Sequence, residues 1–284
     1  MKTGLVMEGG ALRGLFTAGV IDVFMENGIT FDGAVGVSAG ATFGCNIKSG
    51  QIGRAIRYNM KYCRDKRYFS FWSLLFTGNL FGKKFCYHKI PEKLDIFDND
   101  AFEKNPMEFH LVCTDVETGK PVYKKCDRLD GENLEWVRAS ASLPMVSEVV
   151  EVDGLKLQDG GIADSIPLKY FESIGYDRNV VVLTQPKGYI KEPTSNMGLF
   201  RFSLRKYPNM VEALENRHNM YNETTKYIEE KEEKGEVFVI RPKEILPIKR
   251  TSRDPEKLKA VYEAGREEAL KNLDKIREFL SKNV

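Results

Sequence analysis

Two strand-sized apolar runs, each followed by a glycine-rich turn and a helix-like segment, constrain the fold of this chain more than any other feature. The first run occupies residues 3–7 and leads into the turn EGGALRG at residues 8–14. The second occupies residues 31–36 and leads into the turn GVSAG at residues 36–40. A strand, a turn, a helix and another strand in this order are typical of a parallel sheet with crossover helices. The sequence therefore predicts an α/β fold.

The rest of the chain predicts further strands and a helical end. Two short runs, 149–152 and 155–158, are joined by Asp153-Gly154, and a two-residue Asp-Gly link favours a β-hairpin. Other strand-sized runs predict four single strands, at residues 109–116, 122–125, 180–184 and 237–240. A loop and two long helices are predicted at residues 185–198, 210–234 and 255–282.

The composition is that of a folded globular protein and excludes several classes. The 284 residues are 42% hydrophobic and 30% charged, and a formal net charge of +2 argues against a nucleic-acid partner. No apolar run reaches the length of a membrane span, and the first run is too short for a signal peptide, so we expect a cytoplasmic protein. The five cysteines are widely spaced without a Cys-x-x-Cys pair, which indicates neither disulfides nor a zinc site.

The GVSAG turn is a candidate nucleophile elbow. In a G-x-S-x-G elbow the serine occupies a tight turn between a strand and a helix, which exposes its hydroxyl and turns its amide toward the reacting centre. Ser38 has this context, and Gly36 and Gly40 leave room for the neighbouring backbone. The alternative is a glycine-rich helix start in which Ser38 is only a cap.

The EGGALRG turn is a candidate anion site. Consecutive amides ahead of a helix can bind an oxyanion, and Gly9 and Gly10 permit such a turn. A dinucleotide fingerprint is the competing interpretation, with Asp32 as the ribose-binding acid, and it would make the chain a non-catalytic nucleotide- or lipid-binding module. Against it, Ala11 replaces the glycine that admits pyrophosphate, and Asp32 precedes its strand. Close helix–sheet packing alone would also explain these glycines.

The candidate base is an aspartate. Asp159 ends a predicted strand and is followed by two glycines, so it could accept the Ser38 proton directly. For an Asp-Gly-Gly run taken alone, an aspartate in a plain turn is the usual explanation. None of the three histidines, His88, His110 and His218, has a recognisable catalytic context. The order Ser38, Asp159, His218 matches that of α/β-hydrolase triads, but His218 is predicted in the middle of a helix.

These three motifs, in this order, resemble those of the patatin-like phospholipase family over about residues 3–185. The resemblance implies a three-layer α/β/α fold with a mainly parallel central sheet, and hydrolysis of a lipid acyl ester through an acyl-enzyme, without metal or cofactor. It also implies a Ser-Asp dyad of Ser38 and Asp159. The oxyanion hole is then formed by Gly9, Gly10, Ala11 and Arg13. The glycines that support these motifs are Gly14, Gly36, Gly40, Gly160 and Gly161.

Two further features bear on the resemblance, and it also suggests where the catalytic core ends. Ala11 stands where many members have a third glycine, and the small-residue run at 139–144 looks like the segment that precedes the family's dyad aspartate. We expect a catalytic core over residues 1–185. A C-terminal helical portion over residues 186–284, which matches no motif, should pack on the same domain.

Aromatic residues are concentrated between positions 68 and 87. Eight of these twenty residues are aromatic, against 11% in the whole chain, and basic residues surround them. The pattern predicts a peripheral membrane contact through residues 64–89. A partly buried lid or core helix, in which the aromatics simply pack, is the alternative. An acyl chain also needs an apolar channel beside Ser38, and this segment is the candidate for one wall of it.

Overall fold

A single mixed, mostly parallel sheet runs through the chain in a computed structural model that describes residues 1–70, 74, 78–249 and 251–281. Its strand order is β5-β6-β3-β2-β1-β7-β8, with β4 also paired to β3. The pairs β3–β2, β2–β1, β1–β7 and β7–β8 are parallel. The pairs β3–β4, β3–β6 and β5–β6 are antiparallel. The strands are β1 Lys2–Met7, β2 Gly33–Val37, β3 Glu108–Asp115, β4 Pro121–Lys125, β5 Val150–Val152, β6 Leu155–Asp159, β7 Tyr176–Val182 and β8 Val237–Ile240.

Helices cover both faces of this sheet. A π-helical segment, Lys84–Leu94, and two 3₁₀ turns, Ala11–Arg13 and Gly160–Ile162, accompany them. The α-helices of the described residues are α1 Gly14–Glu26, α2 Ala39–Ser49, α3 Arg54–Tyr62, α4 Asn99–Lys104, α5 Gly131–Ser140, α6 Leu168–Ser173, α7 Met197–Ser203, α8 Pro208–Glu233, α9 Pro255–Lys271 and α10 Leu273–Ser281. No described helix is both long enough and apolar enough to cross a membrane.

The core follows the two-residue period of the strands. In β1, Leu5 and Met7 pack in one buried cluster with α1, α2 and α9, and Val6 packs in a second cluster with α6 and α8. Successive strand residues point to opposite faces, so each buried strand must be apolar on both sides. The result is a three-layer α/β/α fold with a mainly parallel sheet, which confirms the predicted fold class.

The predicted hairpin is present, whereas the predicted closing helix is divided. Asp153 and Gly154 both have positive φ, +50° and +75°, as a two-residue turn between twisted antiparallel strands requires. The prediction of one helix over residues 255–282 is wrong, because α9 ends before Asn272, whose side-chain amide donates to the carbonyl of Glu268 (2.8 Å). Residue 282 lies outside the described residues.

The C-terminal third contributes to several layers of the same body. Strand β8 extends the sheet beside β7, α8 packs on one face of the sheet, and α9 packs against α1 on the other. The boundary between a core at 1–185 and a portion at 186–284 stays a prediction.

The pairing of β3 brings two distant strand ends together. Val37 of β2 pairs with Val112, and Asp159 of β6 pairs with the next residue, Cys113. Strand β4 pairs with both of these β3 residues and therefore occupies the opposite edge. Strands β2 and β6 thus meet end to end along one edge of β3, which places Ser38 and Asp159 in the same region.

Candidate active site

Ser38 occupies a tight turn between β2 and α2. Its φ and ψ are 54° and −116°, a backbone conformation that residues other than glycine rarely adopt. The backbone amides of Ala41 and Thr42 donate to its carbonyl, each at 3.0 Å, and hold the turn on the first turn of α2. A Cβ at Gly36 would lie 2.2 Å from the Gly40 carbonyl oxygen, so the turn excludes a larger residue there.

A small polar cleft of about 430 Å³, part of it open to solvent, contains most of the predicted site residues. They are Gly9, Gly10, Ala11, Arg13, Ser38, Asp159 and Gly161. The four other glycines lie behind the cleft surface and form close backbone or helix contacts; these are Gly14, Gly36, Gly40 and Gly160. The cleft is also lined by Leu143, from the run at 139–144, and by three residues that the sequence did not indicate, namely Ser165, Lys191 and Arg217.

Asp159 is held in one orientation by its own turn. Its side chain is buried, and its Oδ1 accepts a hydrogen bond from the Gly161 amide at 2.8 Å. Its backbone amide donates to the Ser142 carbonyl (2.9 Å), and its carbonyl accepts from the Thr114 hydroxyl (2.8 Å). A carboxylate fixed in this way keeps its position when a substrate enters.

Ser140 is a site residue that sequence reasoning missed. Its hydroxyl accepts from the Ser38 amide (3.0 Å) and donates to the Val112 carbonyl (2.7 Å), and Ser140 is completely buried. The prediction that the Ser38 amide faces the reacting centre is therefore wrong, because this amide is already bonded. The run at 139–144 signalled a family likeness, but nothing in it singled out this hydroxyl.

The glycine-rich turn presents free donors to the cleft. Among the described residues, the amides of Gly10 and Ala11 take part in no hydrogen bond, whereas the Gly9 amide donates to the Ser165 carbonyl at 3.4 Å. Ala11 has a φ of 48°, in the left-handed region that glycine adopts most easily, which accounts for the glycine common at this position in the family. The Arg13 Nε is buried without an acceptor in the described part of the chain.

Glu8 is a second residue that sequence reasoning missed. It is the first residue of the glycine-rich turn, and its buried carboxylate accepts from the Thr184 amide (2.5 Å) and the Tyr221 hydroxyl (2.8 Å). Burial raises the pKa of Glu8, while these hydrogen bonds and the nearby charges of Arg13 and Lys191 oppose the rise. A charged residue directly after an apolar strand was the available signal.

A larger apolar pocket of about 1010 Å³ adjoins the cleft and shares Ala11, Ser38 and Leu143 with it. Its other walls come mainly from apolar and aromatic side chains of α2, α3, α5 and the segment before α4. They include Phe43, Tyr58, Tyr68, Phe81, Tyr87, Ile90, Phe97, Leu134 and Val137. Ser38 therefore stands at the junction of a polar cleft and an apolar pocket.

The aromatic segment contributes to this pocket. Phe69 and Phe85 are buried, and Tyr68, Phe81 and Tyr87 line the pocket wall. These positions fit the prediction that the segment forms one wall of an acyl channel beside Ser38. Three other members of the segment, Phe71, Trp72 and Phe76, lie outside the described residues, and the membrane contact through 64–89 stays a prediction.

The competing interpretations lack support in the geometry. Asp32 lies at the amino end of β2, away from the glycine-rich turn, and its carboxylate accepts from the Thr3 amide (2.7 Å) and hydroxyl (2.9 Å). A ribose-binding acid would lie at the other end of its strand.

No histidine is among the described residues that line the cleft or the pocket, which leaves His218 outside the site. Among the residues that the structure describes, no group of histidine, cysteine, aspartate or glutamate side chains could hold a metal ion.

Asp164, at the end of the turn that carries Asp159, makes stability depend on pH. Burial raises the pKa of its carboxyl from 3.8 to about 6, although the Tyr123 hydroxyl donates to it at 2.8 Å. A raised pKa means that the folded state binds the proton more tightly than the unfolded state, so stability is lost as pH rises from about 4 through 6. We expect Asp164→Asn to increase the free energy of unfolding at pH 8 by about 1–3 kcal/mol.

Urea unfolding of both proteins between pH 4 and 8 measures this difference. The gain should disappear as the pH falls from 6 to 4, where the wild-type carboxyl is protonated in the folded state. The matched control is Asp177→Asn, an exposed aspartate of β7. A gain for Asp164→Asn that does not change with pH would contradict the assignment.

Comparison with known proteins gives two family matches. A family model described as patatin-like phospholipase matches residues 5–172, more than half of the chain. A model described as a domain of unknown function (DUF6363) matches residues 207–281. The first match includes Ser38 and Asp159, and the second includes Arg217.

Individual relatives show the same similarity. The uncharacterized protein YjjU of Escherichia coli (strain K12) is 30% identical over 287 aligned positions, covering 93% of this chain and 75% of YjjU. An uncharacterized NTE family protein of Mycobacterium tuberculosis (strain ATCC 25618 / H37Rv) is 28% identical, covering 64% of this chain and 48% of the relative, so the chain spans about half its length. Lysophospholipase nte1 of Emericella nidulans is 28% identical over 61% of this chain and 11% of its own length. Among solved structures, VipD from Legionella pneumophila aligns with 96% of this chain and 67% of its own, at 14% identity and a TM-score of 0.47.

Proposed function

The chain belongs to the patatin-like phospholipase family, and from this premise we propose that it hydrolyses a lipid acyl ester with Ser38 as nucleophile and Asp159 as base. The observation that carries the proposal is the position of Ser38, which is shared by the polar cleft containing Asp159 and by the apolar pocket. An acyl ester has one polar reacting group and one long apolar chain. The two adjoining cavities match these two parts.

The proposed reaction proceeds in two steps. The Ser38 hydroxyl attacks the ester carbonyl carbon while Asp159 accepts its proton, and the collapse of the tetrahedral intermediate returns this proton to the leaving alcohol. Water, deprotonated by Asp159, then attacks the acyl-enzyme, and the fatty acid leaves as Ser38 regains its proton. The same carboxylate acts as base and acid in each step.

The oxyanion of each intermediate needs donors that are free before the reaction. The Gly10 and Ala11 amides meet this requirement, and the Arg13 guanidinium adds a positive charge beside them. We assign Gly9 a supporting role in this hole, because its own amide is bonded to the Ser165 carbonyl. The Ser38 amide, which is bonded to Ser140, holds the elbow in place instead.

The substrate class follows from the family and the pocket. Two relatives carry the names NTE family protein and lysophospholipase, and we propose a phospholipid, a lysophospholipid or a simpler fatty-acyl ester as the substrate. Peripheral attachment at a membrane surface in the cytoplasm would deliver such a substrate.

Narrowing the apolar pocket tests the proposal. Leu134 is partly buried on the pocket wall, and Leu134→Trp places a larger side chain there. A long acyl chain would fill the pocket, and overpacking costs about 1–3 kcal/mol. We therefore expect the rate on p-nitrophenyl palmitate to fall about tenfold. The rate on the short butyrate ester should change less than about twofold. Initial rates on the two esters measure this selectivity.

The matched control is Leu270→Trp, the same substitution on an exposed face of α9 away from the pocket. It should leave both rates unchanged. Equal losses on the two esters by Leu134→Trp would contradict the assignment of the pocket to the acyl chain, and absence of hydrolysis by the unmodified protein would contradict the proposed function itself.

A further inference from the structure

Three cationic side chains line the same cleft as the candidate nucleophile, and two of them come from outside the three catalytic motifs. Arg13, Lys191 and Arg217 line the polar cleft, where Asp159 is the single carboxylate among the lining residues of the described chain. We infer that Lys191 and Arg217, together with Arg13, form a subsite for a phosphoryl group carried by the lipid substrate beside its scissile ester. This inference rests on the proposed function.

Lys191 is placed at the cleft by residues of α8. Its backbone amide donates to the Asn222 side chain (2.8 Å), which donates in return to the Lys191 carbonyl (3.1 Å). The Lys191 ammonium lies 4.3 Å from the centroid of the Tyr221 ring. The reciprocal amide pair and the ring contact restrict a lysine that would otherwise move freely on a loop.

Arg217 connects α8 to the turn that carries the candidate base. Its Nε donates to the Gly161 carbonyl at 2.6 Å, two residues after Asp159. Its guanidinium lines the cleft, and its Nη2 lies 3.4 Å from the place of a Cβ added at Gly161. A headgroup bound by Arg217 would therefore sit next to the reacting ester.

The charges in and below the cleft favour an anion with several oxygens. The buried Arg13 Nε has no acceptor within the described chain, and the nearby Glu8 carboxylate already accepts from the Thr184 amide and the Tyr221 hydroxyl. Arginine and lysine together suit phosphate, whose oxygens accept several charge-assisted hydrogen bonds at once. In a glycerophospholipid only the glycerol backbone separates the phosphate from the acyl ester, so one small cleft can hold both.

The experiment compares two lipids with the same acyl chain in neutral detergent micelles. One is a 1-acyl lysophosphatidylglycerol and the other a monoacylglycerol, which has no phosphate. We expect Lys191→Met to lower kcat/KM on the phospholipid about tenfold, the size of one lost charge-assisted hydrogen bond, and to change kcat/KM on the neutral lipid less than about twofold. Lys191→Arg should retain most of the selectivity because it keeps the charge.

The matched control is Lys187→Met, an exposed lysine on the same loop that lines neither cavity among the described residues. It should change neither rate. Equal losses on both lipids by Lys191→Met, or no loss on either, would overturn the subsite.

Binding to the Ser38→Ala protein separates this inference from the proposed function, because it needs no turnover. We expect the lysophosphatidylglycerol micelles to bind more weakly after the additional change Lys191→Met, whereas monoacylglycerol micelles bind equally to both proteins. Inorganic phosphate is the second probe. If Lys191→Met weakens phosphate binding and leaves lipid binding unchanged, the site takes free phosphate and the headgroup subsite is refuted. If the unmodified protein hydrolyses neither lipid but the binding difference is found, the proposed function fails and the subsite stands.

Discussion

Replacement of Ser38 by alanine should lower kcat on any acyl ester by roughly 10⁴-fold or more, because loss of a serine nucleophile leaves only binding and oxyanion stabilisation. Alanine retains the backbone amide that Ser140 accepts from, and the Ser38 hydroxyl forms no hydrogen bond among the described residues. The free energy of unfolding should therefore change little. Relief of steric strain is not expected, since alanine has the same Cβ at this positive φ.

Two measurements check this expectation. Initial rates on p-nitrophenyl butyrate give the loss of activity, and a fluorophosphonate probe should form a covalent adduct on Ser38 of the unmodified protein, located by mass spectrometry, and none on Ser38→Ala. Ser173→Ala, at an exposed serine of α6, is the matched control and should keep both activity and labelling. Substantial hydrolysis by a folded Ser38→Ala protein would refute the nucleophile assignment.

Replacement of Asp159 by asparagine should lower kcat about 10³-fold, within the range expected for loss of a general acid and base. Asparagine keeps the Oδ1 that accepts from the Gly161 amide, so the turn should persist while the group that takes the Ser38 proton is lost. The rate of fluorophosphonate labelling should fall as well, since the reaction of the probe also needs an activated hydroxyl.

The control for this variant is Asp177→Asn, which removes a carboxylate at an exposed position of β7. It should leave kcat and labelling unchanged. If Asp159→Asn loses less than about tenfold in kcat, the general-base role fails, because a positioned base contributes about 10²-fold or more. Thermal unfolding of the variants shows whether any loss comes from the fold instead.

The parts of the structure that depend on neighbouring residues could be predicted from the sequence. The GVSAG turn, the Asp153-Gly154 hairpin and the first two strands are governed by local sterics and by the spacing of apolar residues, and all of them are found in the structure. The closing helix was predicted as one helix with Pro255 in its first turn. At Asn272 the backbone amide bonds the Ala269 carbonyl and the side-chain amide bonds the Glu268 carbonyl, a local competition that periodicity does not reveal.

The candidate site shows the same division. Ser38, Asp159 and the glycine-rich turn could be named from their motifs, but their common position in one cleft depends on β2 and β6 sharing an edge of β3. The aromatic segment could be recognised as unusual. That Tyr68, Phe81 and Tyr87 line one apolar pocket together with residues of α2 and α5 depends on the tertiary structure.

The sequence by itself determined the turn conformations, the alternating strands and the types of reactive side chain, because these depend on contacts within a few residues. Only the tertiary structure decided that Ser140 bonds the Ser38 amide across 102 positions, that Tyr221 bonds Glu8 across 213, and that Lys191 and Arg217 lie beside the nucleophile. Such contacts arise when distant segments are packed around one sheet. Their partners are selected by the three-dimensional arrangement of the strands and helices, for which a single sequence carries no local pattern.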